Sequence, residues 1–190
     1  MGLTSIIGLA FIIERGLALR WNKVIPSAVE LAAESCRTAE DRSSLRRLCE
    51  QTPSPLGRLL LVAEQHLDLA KEENENALQT RARQEIVRLE RGLVVLEIVV
   101  GIAPLLGLVG TIYGMIKLFG GLGEAGLGDN TVLAHGISLI LNFTMMGLLI
   151  AIPSLIAWNY YNKKVEMLAV EMETVCSEFL RRQYQKVVGK

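Results

Sequence analysis

Hydrophobic and polar positions are segregated along this chain. From Ile98 to Ile116 nineteen residues carry no charge; from Val132 to Trp158 twenty-seven carry none, and His135 is the only titratable group there. About twenty consecutive apolar residues suffice to cross a bilayer as a helix, so both runs read as membrane spans. A third apolar stretch, Leu3 to Ile13, closes at Glu14 and Arg15 and resumes briefly at Leu17. It is too short to span. It reads either as a membrane helix lacking its first turns, the favoured reading, or as a short interfacial helix. No basic residues precede it and no small-residue cleavage site follows, which argues against a signal peptide.

From Arg20 to Arg91 the pattern is polar and helical, interrupted at Pro26 and at Pro53 and Pro55. Leu56, Leu59, Ala63, Leu67 and Ala70 recur at helical spacing, as do Leu78, Ala82, Ile86, Leu89 and Leu93. The Lys71–Asn76 run between them reads as a solvated face. The second set meets no breaker before the first long run, so one helix is expected to pass from water into lipid. Lys117 to Thr131 is a glycine-rich connection containing a formal GxGxxG at Gly121, Gly123 and Gly126. That motif binds phosphate only between a strand and a helix; between two membrane spans it reads as a flexible turn. After the second long run, Val165, Leu168, Met172, Val175 and Phe179 form an apolar stripe, expected to continue the span and to pack on the helices before Arg91.

Composition adds exclusions. The chain is 51% hydrophobic and 21% charged, with 20 basic against 20 acidic residues; zero net charge gives no argument for nucleic-acid binding. Cys36, Cys49 and Cys176 support neither a disulfide framework nor a metal site. No hydrolase, P-loop or metalloprotease signature is present, so neither an enzyme nor a cofactor is expected. The basic residues before the first long run and after the second put both flanks on the cytoplasmic side, with the N-terminus and the glycine-rich loop outside.

The informative residues are polar or small ones inside the spans. Pro104, Gly107, Thr111, Gly114 and Leu118 share one helix face, with Gly110 adding a GxxxG on its flank; Thr144, Gly147, Ala151 and Ser154 share another. Small residues allow close helix packing, and threonine hydroxyls can line a hydrated path; spacing alone leaves both roles open. Asn142 is the most polar side chain of the second run and needs a partner.

Two segments carry a family resemblance. Leu89-Glu90-Arg91-Gly92-Leu93 followed by Ile102 to Ile116 resembles the second membrane segment of the MotA/TolQ/ExbB proton-channel family. Gly136-Ile137-Ser138, Thr144 and Gly147 to Ser154 resemble the third, and Ser5 to Arg15 the end of the first. The resemblance is closer to the ExbB/TolQ branch than to the larger MotA type. It implies that Thr111 and Thr144 face a central pore, and that Pro104, Gly107, Gly110, Gly114, Gly147, Ala151 and Ser154 pack helices around it. It also implies a pentamer around a single-span ExbD/TolR-like partner whose aspartate carries the proton, with a TonB-like or cell-wall-linked component downstream. Many relatives carry a glutamate five residues before the third-span threonine, where this chain has Leu139. Thr111, Thr144 and Asn142 are then this chain's candidates for the proton pathway.

The expected fold is an all-α membrane protein with three transmembrane helices, the first incomplete, and long helices extending into the cytoplasm. Residues 1–20 are assigned to the first membrane helix, 21–92 to a cytoplasmic helical region and 93–118 to the second membrane helix. Residues 119–131 form a periplasmic glycine-rich loop, 132–158 the third membrane helix, and 159–190 a cytoplasmic helix. The expected function is a motor subunit of the bacterial inner membrane driven by the proton motive force. The alternative is a non-conducting membrane scaffold.

Overall fold

The computed structural model describes residues 2–125 and 130–188. Among them every element is a helix: α1 Gly2–Ala18, α2 Trp21–Val24, α3 Ser27–Ser35, α4 Ala39–Gln51, α5 Pro55–Gln65, α6 Lys71–Glu90, α7 Leu93–Ala125 and α8 Asn130–Val188. The chain divides into two compact units. Residues 1–15 and 92–160 form the first, and residues 16–91 and 161–190 the second.

The first unit holds two helices long and apolar enough to cross a membrane, within Leu93–Gly121 and Leu133–Gln185. Their apolar side chains face outward: Leu105, Val109, Ile116, Leu141 and Ile156 are all more than half exposed. In water such a surface would drive association, whereas in lipid it is the expected one. Pro104 and Pro153 lie inside α7 and α8 without ending either helix. Each proline lacks an N–H and so leaves a carbonyl one turn earlier without its helical partner.

Two boundaries differ from the sequence pattern. No single helix runs from Leu78 through Leu93: α6 ends at Glu90 and α7 begins at Leu93, with a turn at Arg91 and Gly92. The largely buried Arg15 side chain of α1 occupies the place a Cβ on Gly92 would take, so a larger residue at this break would have to displace it. The glycine-rich connection is shorter than its composition suggests, because α7 continues through Ala125 and α8 starts at Asn130. Residues 119–125 and 130–131, assigned to the loop, are therefore helical; Gly126, the last glycine of the GxGxxG, and Gly128 lie outside the described residues. By contrast, α8 is one helix across residues 158 and 159, as expected of a stripe that continues the span.

In the second unit the prolines start helices. Pro26 sits at the N-cap of α3 and Pro55 in the first turn of α5, where a missing N–H costs nothing. Thr38 and Asp41 form a capping box on α4, and the Ser54 hydroxyl accepts from the Gly57 N–H on α5. The core gathers Leu56, Leu59, Leu60 and Ala63 of α5 with Val165, Leu168, Met172, Val175 and Phe179 of α8, all buried. The apolar stripe expected after the second run is thus a core face. The periodicity from Leu56 to Ala70 outlasts its helix, since α5 ends at Gln65 and Ala70 caps α6.

Candidate functional site

Glycine decides how closely α7 and α8 approach. A Cβ built on Gly147 would lie 2.8 Å from the Ala103 carbonyl oxygen and 3.2 Å from the Gly107 Cα; one on Gly107 would lie 3.0 Å from the Phe143 carbonyl oxygen. The backbones therefore touch. Away from this point glycines receive large side chains, with the Phe143 ring on Gly110 and Ile140 on Gly114. Leu118 of α7 meets Gly136 of α8 in the same way. Bulk on one helix is matched by a bare backbone on the other. Ala103, buried at the crossing, belongs to this contact although no motif marked it.

The flanks of the crossing differ. On one flank α1 is seated, its Gly8 lying 3.3 Å (from a built Cβ) from both the Ser154 hydroxyl and a Val99 methyl. Ser154 is buried and donates its proton to the Ile150 carbonyl at 2.8 Å, and Ala151 beside it is buried. Helical rotation of about 100° per residue turns Thr111 about 120° from Val99 on α7 and Thr144 about 80° from Ser154 on α8, and both threonines project to one flank of the crossing, at similar depth. Thr144 is exposed and Thr111 half-buried, and Pro104, also half-buried, stands two turns from Thr111 on the same flank. Thr111 Oγ1 donates to the Leu108 carbonyl at 2.6 Å. Its proton is thereby committed, and its free lone pairs make it an acceptor toward anything on that flank.

Asn142 is elsewhere. It lies roughly 200° around α8 from Thr144, turned away from α7, and is exposed. One copy of this chain therefore does not bring Asn142 together with the two threonines, because two residues along a helix reverse the direction of projection.

The second unit contains two buried polar centres that the hydrophobic pattern did not reveal. Asn74, within the run read as a solvated face, is fully buried and donates Nδ2 to the Ala63 carbonyl at 2.9 Å and to the Tyr184 hydroxyl at 3.2 Å. The unfinished carbonyls at the end of α5 require this, and Tyr184 Oη in turn donates toward Leu69 and His66 carbonyls. Glu85 is also fully buried, and pairs with Arg58 at 2.6 Å, Arg81 at 3.1 Å and Arg88 at 3.1 Å. Burial raises the Glu85 carboxyl, but the Arg58 hydrogen bond and the three guanidinium charges outweigh it and hold it below the usual carboxylate range. The three cysteines form no disulfide and are buried, and desolvation pushes Cys49 up to about 11 and Cys176 to about 12. No cluster of metal-ligating side chains occurs among the described residues.

The first unit thus presents two apolar membrane-length helices crossing on glycine, with a hydroxyl pair beside the crossing. Residues 51–174 match the MotA/TolQ/ExbB proton channel family. The chain belongs to this family. Within it the chain is 31% identical to the biopolymer transport protein ExbB-like 1 of Synechocystis over 83% of its own length, spanning 63% of that protein. It is 31% identical to the biopolymer transport protein ExbB of Aquifex aeolicus, over 60% of this chain and 76% of that one. It is 28% identical to the Tol-Pal system protein TolQ of Pseudomonas aeruginosa, over 96% of this chain and 84% of that one. The similarity lies in the ExbB/TolQ branch. Membership makes this a membrane protein of a proton-channel family.

Proposed function

We propose that this chain is an ExbB/TolQ-type subunit of the bacterial inner membrane that converts the proton motive force into mechanical work for outer-membrane transport or envelope processes. The observation that carries the reading is the hydroxyl pair Thr111 and Thr144, which project to one flank of the α7–α8 crossing with Thr144 exposed and Thr111 half-buried. In this reading α1, α7 and α8 all cross the membrane, the ends of the chain lie outside (N-terminus) and in the cytoplasm (C-terminus), and the second unit is cytoplasmic. Five copies surround a single-span ExbD/TolR-like partner, with the threonine flanks facing the pore. A TonB-like or cell-wall-linked component receives the force.

The chemistry follows from the residues at hand. Between Ile98 and Ile116 and between Val132 and Trp158 this chain has no acidic group, so in this reading the titrating carboxylate at the level of the threonines comes from the partner's aspartate. Thr111, its own proton held by Leu108, accepts a hydrogen bond from the neutral carboxylic acid and offers nothing to the carboxylate. The site thus distinguishes the two protonation states. Discharge of the proton removes the match, and the partner helix moves on.

Thr111→Val and Thr144→Val test the reading in the complex with its partner. Each is expected to cut proton flux at least tenfold while the complex still assembles. Wild-type flux in both variants would overturn the pore assignment and favour the alternative, a non-conducting scaffold, for which the glycine crossing by itself is a sufficient structural basis.

A further inference from the structure

The face of α8 turned away from α7 carries a polar file that neither the crossing nor the threonine pair uses. His135, Ser138 and Asn142 are spaced three and four residues apart, share one helix face and are all exposed. The file covers about 10 Å of helix from the outer end of the span to near its middle. Further along the same line stand Met146, Leu149 and Ile156, all exposed and apolar. The polarity therefore stops at Asn142. Polar side chains in a membrane helix are costly against lipid and are found where they meet protein or water. A file polar only in its outer half fits water entering from outside and ending at mid-membrane, whereas a helix-packing seam gives no reason for the change at Met146. On the packed helix α7, Lys117 stands one residue before the leucine that meets Gly136, and its ammonium lies over the Tyr113 ring at 5.8 Å.

We propose that His135, Ser138 and Asn142 line a water-filled half-path by which protons reach the middle of the membrane from the outer side, with His135 as the relay. This rests on the conducting reading above. Imidazole takes a proton from outer water on one ring nitrogen and releases the proton of the other nitrogen to water beside Ser138. Tautomer exchange then restores the starting ring. Asn142, able both to donate and to accept, ends the chain of hydrogen bonds near mid-membrane.

The test uses the full chain with its co-purified partner in liposomes. Ser138→Cys, Asn142→Cys and Leu149→Cys are exposed to a membrane-impermeant cationic thiosulfonate from the outer side; the native cysteines are buried and stay silent. Labelling of the first two but not of Leu149→Cys is expected, and His135→Gln is expected to lower proton flux at least tenfold in an assembled complex. Absence of labelling at Asn142→Cys, equal labelling at Leu149→Cys, or unchanged flux in His135→Gln overturns the proposal. If His135→Gln fails to assemble, the labelling decides. Flux that depends on Thr111 and Thr144 but not on His135 would sink the relay alone, whereas a wild-type complex without flux would sink the conducting reading and the relay with it.

Discussion

Gly107 and Gly147 meet backbone to backbone where α7 crosses α8, with only 3.2 Å between a Cβ built on Gly147 and the Gly107 Cα. Neither helix has a side chain there to yield. Gly147→Ala would force the Ala103 carbonyl away and separate the helices, at a cost of about 1–3 kcal/mol for overpacking. The expected outcome is a lower melting temperature and loss of the assembled complex, read by light scattering in detergent. Gly101→Ala, which meets open space, is the control and should leave both unchanged.

Glu85 is the anchor of the second unit. Glu85→Gln leaves three guanidinium groups without their carboxylate, but these remain partly hydrated. A loss of roughly 2 kcal/mol is expected, below the full cost of breaking a fully buried pair. Thermal unfolding of the purified protein checks it.

The same carboxylate gives a pH dependence of known sign. Its native pKa lies below the unfolded value of 4.5, so the stabilisation is complete above that value and is lost as pH falls through the native one. Melting temperature should therefore fall with acidification below about pH 4.5, and the Glu85→Gln variant should lack that component. Parallel curves for the two proteins would contradict the assignment.

Cys36, Cys49 and Cys176 should resist an aromatic disulfide reagent at neutral pH, since burial blocks access and raises Cys49 and Cys176 far above the working pH. In denaturant three thiols should titrate at once. Rapid labelling of any of them in the native protein would show that the core opens locally.

Tyr184→Phe removes the hydroxyl shared by Asn74, His66 and Leu69. A cost of about 1–2 kcal/mol is expected from the acceptors left unpaired. Hydrogen exchange should accelerate around residues 66–74 and at the end of α8, and not in α7.

Much of this was legible in one dimension. The two charge-free runs, the small-residue faces, the threonines and the start of α3 and α5 at prolines follow from local rules: helix period, backbone satisfaction in lipid and the missing N–H of proline. The absence of an acidic group between Ile98 and Ile116 and between Val132 and Trp158 also fixed, by composition alone, that neither charge-free run supplies a titrating carboxylate. Only the tertiary structure decided which residues meet. The Arg15 side chain, distant in sequence, fills the space beside Gly92; Phe143 is tolerated because Gly110 lies opposite; and Asn74 and Glu85 are buried where a carbonyl and the Arg58 guanidinium of α5 meet them. Such pairings arise from contacts between segments, which no periodicity encodes. Likewise Asn142 and Thr144, neighbours in the sequence, were separated by the turn of α8 once the position of α7 was known, since a face acquires meaning only when its opposite side is occupied.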